Sequence, residues 1–186
     1  MKKVISITII IIVLIILHTV LSYNRFVKLS ENINNAYSQV ENVIQRRADL
    51  IPNLVSTVKG YAKHEKEIFE HLADARSKLM SAENAEKKAE ALGELNDVLG
   101  KLLVIVENYP SLKADAHFLR LMDELSGTEN RIAVERKRYN DKVREYNSMI
   151  RSFPLSITAK MFSFEKREYF EIRDDMDREN VKVDLK

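Results

Sequence analysis

The 186-residue sequence contains no cysteine and no tryptophan, and only four glycines and three prolines. The lack of cysteine excludes disulfide bonds, thiolate metal ligands, a cysteine nucleophile and the acylated cysteine of a lipoprotein anchor. Because turn-forming residues are scarce and the chain is 45% hydrophobic and 31% charged, the composition predicts long helices. The length allows one hydrophobic core with a possible appendage.

Charge of one sign is also missing from most of the chain. Of the 30 basic residues, Lys2 and Lys3 precede an apolar run, and the rest of the chain carries as many basic as acidic residues. A nucleic-acid-binding protein needs a net basic face to displace counterions from phosphates. We therefore expect no nucleic-acid partner.

Residues 4–21 form a run of eighteen uncharged residues, eight of which are isoleucine. A helix of that length is about 27 Å long, close to the roughly 30 Å hydrocarbon core of a bilayer. A signal peptide is the competing interpretation, but the run exceeds the usual signal-peptide core and no A-x-A site follows it. The sequence therefore predicts a single-pass cell-membrane protein in which residues 1–22 are an uncleaved transmembrane anchor.

The orientation of this anchor depends on a small charge difference. Lys2 and Lys3 on one side nearly balance Arg25 and Lys28 on the other, and the free amino terminus favours a cytoplasmic N-terminus. We therefore expect the rest of the chain to lie on the extracytoplasmic side. His18, close to the end of the span, is interpreted as a neutral interfacial residue.

After the span, apolar and small residues recur at steps of three and four from Phe26 to Ala62, which is typical of a helix packed along its length. The pattern passes through Pro52 without a change of phase. A proline inside a helix removes one hydrogen bond and crowds the carbonyl four residues earlier, that of Ala48. Two structures are compatible with this pattern: a helix kinked at Pro52, or a turn at residues 49–53.

Further helices are predicted downstream. The apolar pattern continues to Leu79, and Asn84 is predicted to cap the next helix, which ends before Pro110. Ser111 is predicted to cap a last helix of about forty residues, which Pro154 ends.

The tail, residues 155–186, differs from the helical part, residues 23–154. It begins with an aromatic stretch, which we expect either to pack on the helices or to lie at the bilayer surface. It ends with a charged stretch from Asp174 to Lys186. Four antiparallel helical segments would return the tail to the membrane, whereas three would leave it far away.

Several stretches form a set of motifs that runs in order along nearly the whole chain. The motifs are Tyr23-Asn24, Arg46-Arg47-Ala48-Asp49-Leu50-Ile51-Pro52-Asn53-Leu54-Val55, Val58-Lys59-Gly60-Tyr61-Ala62-Lys63-His64-Glu65, Glu107-Asn108-Tyr109-Pro110-Ser111-Leu112-Lys113-Ala114, Thr128-Glu129-Asn130-Arg131-Ile132-Ala133, Arg138-Tyr139-Asn140, Tyr146-Asn147, Phe153-Pro154 and Tyr169-Phe170-Glu171. Together they resemble the LemA family of bacterial membrane proteins. The sequence departs from the family at Tyr37, where tryptophan is common, and at Ser163, where glycine often separates two phenylalanines.

The resemblance implies an all-α fold in which an N-terminal transmembrane helix is followed by an antiparallel, up-and-down four-helix bundle of long helices. It favours a chain reversal at residues 49–53 or beyond. It implies no defined biochemical activity. One branch of the family looks like a component of the magnetosome membrane, which hints at a role in organising membranes.

Metal binding is the best lead for an enzyme. His64, Glu67 and His71 are spaced to share one helix face, but there is no H-E-x-x-H or E-x-x-H motif. Charged neighbours instead favour a solvated face with Lys63–Glu67 and Lys66–Glu70 pairs. The acidic cluster at residues 174–177 lacks the glycine and the spacing of an EF-hand loop. We therefore expect no metal, no cofactor and no catalytic residues.

A buried polar network is the most specific prediction from the residues. Glu129 continues the apolar pattern of the last helix, and Arg46 and Arg47 lie beside the apolar pattern of the first. Since a buried charge needs a partner, we predict that Glu129 pairs with Arg46 or Arg47 and that the pair sets the helix register. The alternative is that all three side chains extend to solvent.

We therefore expect a non-enzymatic, membrane-anchored scaffold or interaction protein that binds the lipid bilayer, and protein partners or further copies of itself. No small-molecule substrate is evident in the sequence. An extracytoplasmic ligand-binding or sensory bundle is the alternative, and a metal-dependent enzyme is a remote one.

Overall fold

The computed structural model describes residues 1–62 and 64–172, and in these residues all regular secondary structure is helical. The aromatic tail beyond the last helix, residues 162–172, is here called the tail segment. The charged end of the tail, including the acidic cluster at residues 174–177, lies outside the described residues. The helices are α1 (Lys2–Lys59), α2 (Lys66–Ser81), α3 (Ala85–Val106), α4 (Pro110–Lys113), α5 (Ala116–Arg151) and α6 (Leu155–Met161).

The first helix contains both the apolar run and the first packed segment. Within the part of the chain that the structure describes, nothing packs over the apolar run, and this run is long and apolar enough to cross a membrane. The core helix of a soluble protein would instead bury this run. From Phe26 onward the inward face of α1 is buried, so the helix passes from a fully exposed to a packed segment within a few residues.

Pro52 lies inside α1 and does not end it. Of the two structures left open at Pro52, the turn at residues 49–53 is not formed. The chain reverses beyond these residues, after α1 ends at Lys59 with Gly60 as its C-terminal cap. The carbonyl of Ala48 cannot receive a helical hydrogen bond from Pro52, which has no N–H. Arg76 on α2 donates to this carbonyl instead, with an Nε–O distance of 2.8 Å.

α1 packs along α5, and α2 packs against α3. The two long helices run in opposite directions, since Phe26 contacts the ring of Tyr146 at one end and Tyr61 donates to Asp115 at the other. The helices enclose a continuous core that is rich in leucine, isoleucine and valine.

The ends of the helices follow the sequence in one case and depart from it in another. Asn84 caps α3, as predicted, by accepting a hydrogen bond from the backbone N–H of Lys87 at 2.9 Å. Ser111 was expected to cap the last helix, and this is wrong. It lies within the four-residue α4, and Asp115 caps α5 by accepting from the N–H groups of His117 and Phe118, each at 2.9 Å.

The tail segment returns along α5 toward the middle of the protein. Phe164 stacks on Phe26 with ring centroids 4.8 Å apart, and Phe170 is fully buried. Ile172 reaches α3, where its side chain lies 3.5 Å from the position that a Cβ would take at Gly93. The aromatic part of the tail thus packs on the helices, while Phe162 contacts Tyr23 directly after the apolar run.

Candidate functional site

The polar centre of the protein is Arg47, which is 6% exposed. Its Nη1 contacts the carboxylate of Glu129 on α5, and its Nη2 donates to the side-chain oxygen of Asn96 on α3 at 2.8 Å. One guanidinium group therefore connects α1, α3 and α5. Burial lowers the pKa of Arg47, and the nearby Glu129 carboxylate opposes this shift.

A backbone carbonyl completes this centre. The carbonyl oxygen of Leu125 accepts from Arg47 Nη1 at 3.4 Å and from the hydroxyl of Thr128 at 2.7 Å. Thr128 is 3% exposed, so its hydroxyl needs a partner inside the protein. The planar guanidinium group suits this position because its donors point in several fixed directions.

The structure thus brings two of the three predicted site residues together. Arg47 contacts Glu129, whereas Arg46 is exposed on the outer side of α1. The Glu129 side chain is 39% exposed, so water reaches one side of the pair. A second arginine, Arg136, is half-buried. Burial lowers its pKa, and the charge of Glu129 opposes this shift in part. That the pair sets the helix register stays a prediction.

Two asparagines of α5 hold the tail segment through its backbone. Asn147 donates to the carbonyl of Arg167 at 2.8 Å and accepts from the N–H of Arg167 at 2.9 Å. Asn140 does the same with Phe170, at 3.2 and 2.8 Å. Each side-chain amide thus pairs with the tail backbone as a neighbouring strand would.

The spacing of these asparagines explains why both can bind the same extended segment. Seven residues of helix separate Asn140 from Asn147, which is about 10.5 Å. Three residues of extended chain separate Arg167 from Phe170, which is about 10 Å. These two distances match, so side chains two turns apart on α5 can bind backbone groups three residues apart in the tail segment.

We call Asn140 and Asn147, together with their hydrogen bonds to the tail segment, the asparagine clamp. Neighbouring side chains add further contacts between α5 and the tail segment. The hydroxyl of Tyr139 donates to the carbonyl of Glu168 at 2.8 Å, and the side chain of Arg167 donates to Ser30 on α1 at 3.0 Å. The guanidinium of Arg136 lies over the ring of Phe170, 5.5 Å from its centroid. Burial raises the pKa of Tyr139, while the charge of Arg167 opposes the shift.

At the end of the protein far from the apolar run, two tyrosines connect the turn after α1 with the segment around α4. Tyr61, in the turn after α1, donates to the cap residue Asp115 at 2.9 Å. Tyr109, before α4, donates to Glu65 at 3.0 Å. Hydrogen bonds from the Phe118 N–H and from Tyr61 lower the pKa of Asp115.

The residues considered for metal binding do not share a helix face. α2 begins at Lys66, so His64 lies in the preceding turn and is exposed, while His71 lies on the helix. The predicted arrangement of His64, Glu67 and His71 along one helix is therefore wrong. Within the described residues no three histidine, aspartate or glutamate side chains are close enough to hold a metal ion. Of the predicted surface pairs, Lys66–Glu70 is formed at 3.3 Å, and Lys63 lies outside the described residues.

Sequence reasoning missed the asparagine clamp and the Arg76–Ala48 bond. The clamp carried a signal, since two Tyr-Asn pairs, Tyr139-Asn140 and Tyr146-Asn147, repeat at a seven-residue step on one helix. Their partners, however, are backbone groups, which leave no trace in residue identity. The partner of Ala48 was equally hidden, because any long donor on a neighbouring helix could serve.

Comparison with known proteins places the sequence in a family. The profile of the LemA family matches residues 36–185. The chain is 30% identical over 175 residues to magnetosome protein MamQ 2 of Paramagnetospirillum magneticum, covering 80% of this chain and 64% of that protein. It is 26% identical over 138 residues to protein LemA of Metamycoplasma hominis, covering 74% of this chain and 63% of that protein. The matches thus span less than two thirds of these relatives' lengths. The protein belongs to the LemA family.

Proposed function

We propose that this protein is a non-enzymatic, membrane-anchored scaffold, in which four helical segments form an antiparallel bundle that presents a fixed surface to protein partners or to further copies of the chain. α1, α2, α3 and α5 supply the segments. The anchor is the apolar run of α1, and the bundle lies on the extracytoplasmic side. The MamQ relatives are named as magnetosome proteins, which supports a role at membranes.

One observation carries this proposal: four polar side chains of the family motifs, those of Arg47, Glu129, Asn140 and Asn147, are engaged with other parts of the same chain. Arg47 bonds Asn96 and contacts Glu129, and Asn140 and Asn147 hold the tail backbone. Side chains committed to such bonds stabilise one arrangement of the helices. Motif residues used in this way maintain a fixed arrangement of the helices, and a scaffold requires such an arrangement.

The partner surface is expected on the outer faces of the helices far from the membrane. Val104 on α3 is 71% exposed, and the neighbouring Leu103 is 41% exposed. Apolar side chains next to each other on a surface are favourable contact points for another protein. Leu102, next in the chain, is fully buried and provides a matched control.

In vivo photo-crosslinking tests this surface. A photoreactive phenylalanine analogue is placed at Val104 or at Leu102, and trapped adducts are identified by mass spectrometry. We expect a specific protein adduct, or a dimer of this chain, at Val104 and none at Leu102. The adduct should disappear when Leu103 is also changed to Lys. Absence of an intermolecular adduct at Val104 and at other exposed positions such as Leu119 would contradict the scaffold proposal.

The side of the membrane is tested separately by cysteine labelling, since the chain has no cysteine of its own. A membrane-impermeant maleimide is applied to intact cells that carry Lys101→Cys or Lys3→Cys. We expect labelling at position 101 in intact cells and at position 3 only after permeabilisation. The reverse pattern would place the helical part in the cytoplasm.

A further inference from the structure

The outer side of α6 is apolar, and no other part of the described residues 1–62 and 64–172 covers it. Ile157 and Met161, four residues apart on this helix, are 58% and 59% exposed, and Phe153 just before it is 83% exposed. The inner side, with Thr158 and Ala159, is buried against the rest of the protein. α6 is therefore fixed in place with an apolar row on its free face.

The position of α6 along α1 shows what this face meets. The ring of Phe162, directly after α6, lies 4.8 Å from the ring of Tyr23. Tyr23 is only two residues beyond the apolar run, which is about 3 Å along the helix axis. The headgroup layer on each side of a bilayer is roughly 5–8 Å thick, from the difference between the full and the hydrocarbon thickness. The end of α6 is therefore at the depth of the headgroups.

The charges around α6 agree with this depth. Lys160 on α6 and Arg151 in the last turn of α5 are exposed. Basic side chains beside an apolar row are typical of helices that lie in the interface of a membrane with anionic lipids. Tyr23 next to the span is the aromatic residue expected at the same level.

We propose that the apolar face formed by Phe153, Ile157, Met161 and Phe162 lies in the headgroup layer of the bilayer that α1 crosses. α6 is then a second contact with the membrane, beside the span itself. Two contacts fix the rotation of α1 about its axis, so the helices far from the membrane point in a defined direction. This inference is independent of the scaffold function.

Tryptophan fluorescence in nanodiscs tests the proposal, because the chain contains no tryptophan. The full-length variants Ile157→Trp and Met161→Trp each carry a single probe at an exposed position. They are reconstituted at one copy per nanodisc in a mixture of phosphatidylcholine and phosphatidylglycerol, with bromine near the top of the acyl chains. Leu17→Trp, inside the span and about one turn from the end near Tyr23, is the positive control at the depth of the bromine. Val104→Trp, far from the membrane, is the negative control.

We expect both α6 probes to lose roughly half or more of their emission in brominated lipid, as interfacial side chains do, and to emit at shorter wavelength than Val104→Trp. Equal quenching of the α6 probes and of Val104→Trp would overturn the proposal. It would show that this face lies outside the lipid. Quenching at Met161→Trp alone would also overturn it, since only the Phe162 end would then touch lipid. Circular dichroism that matches the wild type confirms that each probe is read in the folded protein.

Discussion

The membrane-distal part of the protein, where α1, α2, α3 and α5 meet, and the membrane-proximal part, where α1 and α5 continue without α2 and α3, bury their apolar faces by different means. The turn between α2 and α3 lies beside Asn34 and Tyr37, which together with Asn84 and Ala85 line one groove. Tyr37 is sixteen residues beyond the apolar run, or about 24 Å along the axis. Below that level, α6 and the first part of the tail segment cover the two long helices, and the end of the segment reaches α3 at Gly93.

This difference shows how the apolar faces of α1 and α5 are covered where α2 and α3 do not reach. Helices satisfy most of their own backbone groups, so α2 and α3 pack on the long helices mainly through apolar side chains, with single polar contacts such as Arg76–Ala48 and Asn96–Arg47. An extended tail has unpaired backbone groups, and each must find a partner if it is buried. Asn140 and Asn147 supply those partners, which is why the proximal part depends on amides and the distal part on leucines.

The largest effects are expected from fully buried residues of the one continuous core, one in the tail segment and one on α3. Phe170→Ala in the tail and Leu102→Ala on α3 each remove a fully buried side chain and should lower the free energy of unfolding by about 3–5 and 2–5 kcal/mol, respectively. Hydrogen exchange distinguishes them. Phe170→Ala should release residues 164–170 and leave α2 and α3 protected, whereas Leu102→Ala should weaken α2 and α3. Identical exchange patterns would show that the two parts unfold as one.

The next effect concerns the contact between α1 and α5. Arg47→Ala leaves Asn96 and Glu129 without this partner and should cost about 2–3 kcal/mol, less than a fully buried pair because water reaches Glu129. Arg46→Ala, one residue away and exposed, should change the free energy of unfolding by less than about 0.5 kcal/mol. Denaturant unfolding in detergent measures both. Similar costs would contradict the assignment of Arg47 as the central tie.

The clamp is tested by Asn147→Ala, which removes both hydrogen bonds to Arg167. We expect a loss of about 1–3 kcal/mol, since a partly buried N–H and C=O lose their partners. Asn130 is exposed on the same helix, and Asn130→Ala should be nearly neutral. Unchanged hydrogen exchange at the Arg167 amide in the Asn147 variant would exclude the clamp.

A smaller effect is expected at Pro52. Arg76→Met leaves the Ala48 carbonyl unpaired and should cost about 1–2 kcal/mol. In a Pro52→Ala background the new N–H bonds this carbonyl, so the same change should cost about 1 kcal/mol less. A double-mutant cycle of unfolding free energies measures the difference. Additive costs would mean that Arg76 does not replace the missing helical bond.

The smallest effect is expected at the boundary between the two parts. Tyr37 and Tyr139 have ring centroids 5.6 Å apart. The Tyr37 hydroxyl is buried and has no hydrogen-bond partner among the described residues. Tyr37→Phe should therefore be nearly neutral at pH 7, whereas Tyr139→Phe loses its bond to Glu168 and should cost about 0.5–1.5 kcal/mol.

The buried Tyr37 hydroxyl also predicts that the stability of the fold depends on pH in the alkaline range. Burial, followed by the charge of Glu41, raises the pKa of Tyr37 from 10.0 to about 12. The folded state therefore favours the neutral phenol, and this stabilisation is complete below pH 10 and lost as the pH rises from 10 toward 12. Tyr37→Phe should weaken the alkaline loss of stability in a pH series of thermal unfolding. An unchanged alkaline transition would show that other groups govern it.

Much of the fold could be read from the sequence because periodicity is a local property. The apolar run, the three- and four-residue steps from Phe26, and the Asn84 cap each depend on neighbours along the chain. α1, α2 and α3 lie where these patterns predict helices, whereas α6 in the tail was not predicted. Ser111 failed as a cap because Pro110 begins its own single turn, and Asp115 offered a better acceptor to the next helix. Local patterns could not choose between two capping residues four positions apart.

The sequence by itself determined the apolar segment, the helical class, and the family to which the motifs belong. The tertiary structure alone decided that α1 continues through Pro52, that Glu129 meets Arg47 and not Arg46, and that the tail lies on α5. Each of these depends on a group supplied from a distant part of the chain: a guanidinium from α2, a carboxylate from α5, or backbone amides from the tail. Such partners are chosen by position in space, which residue order does not record.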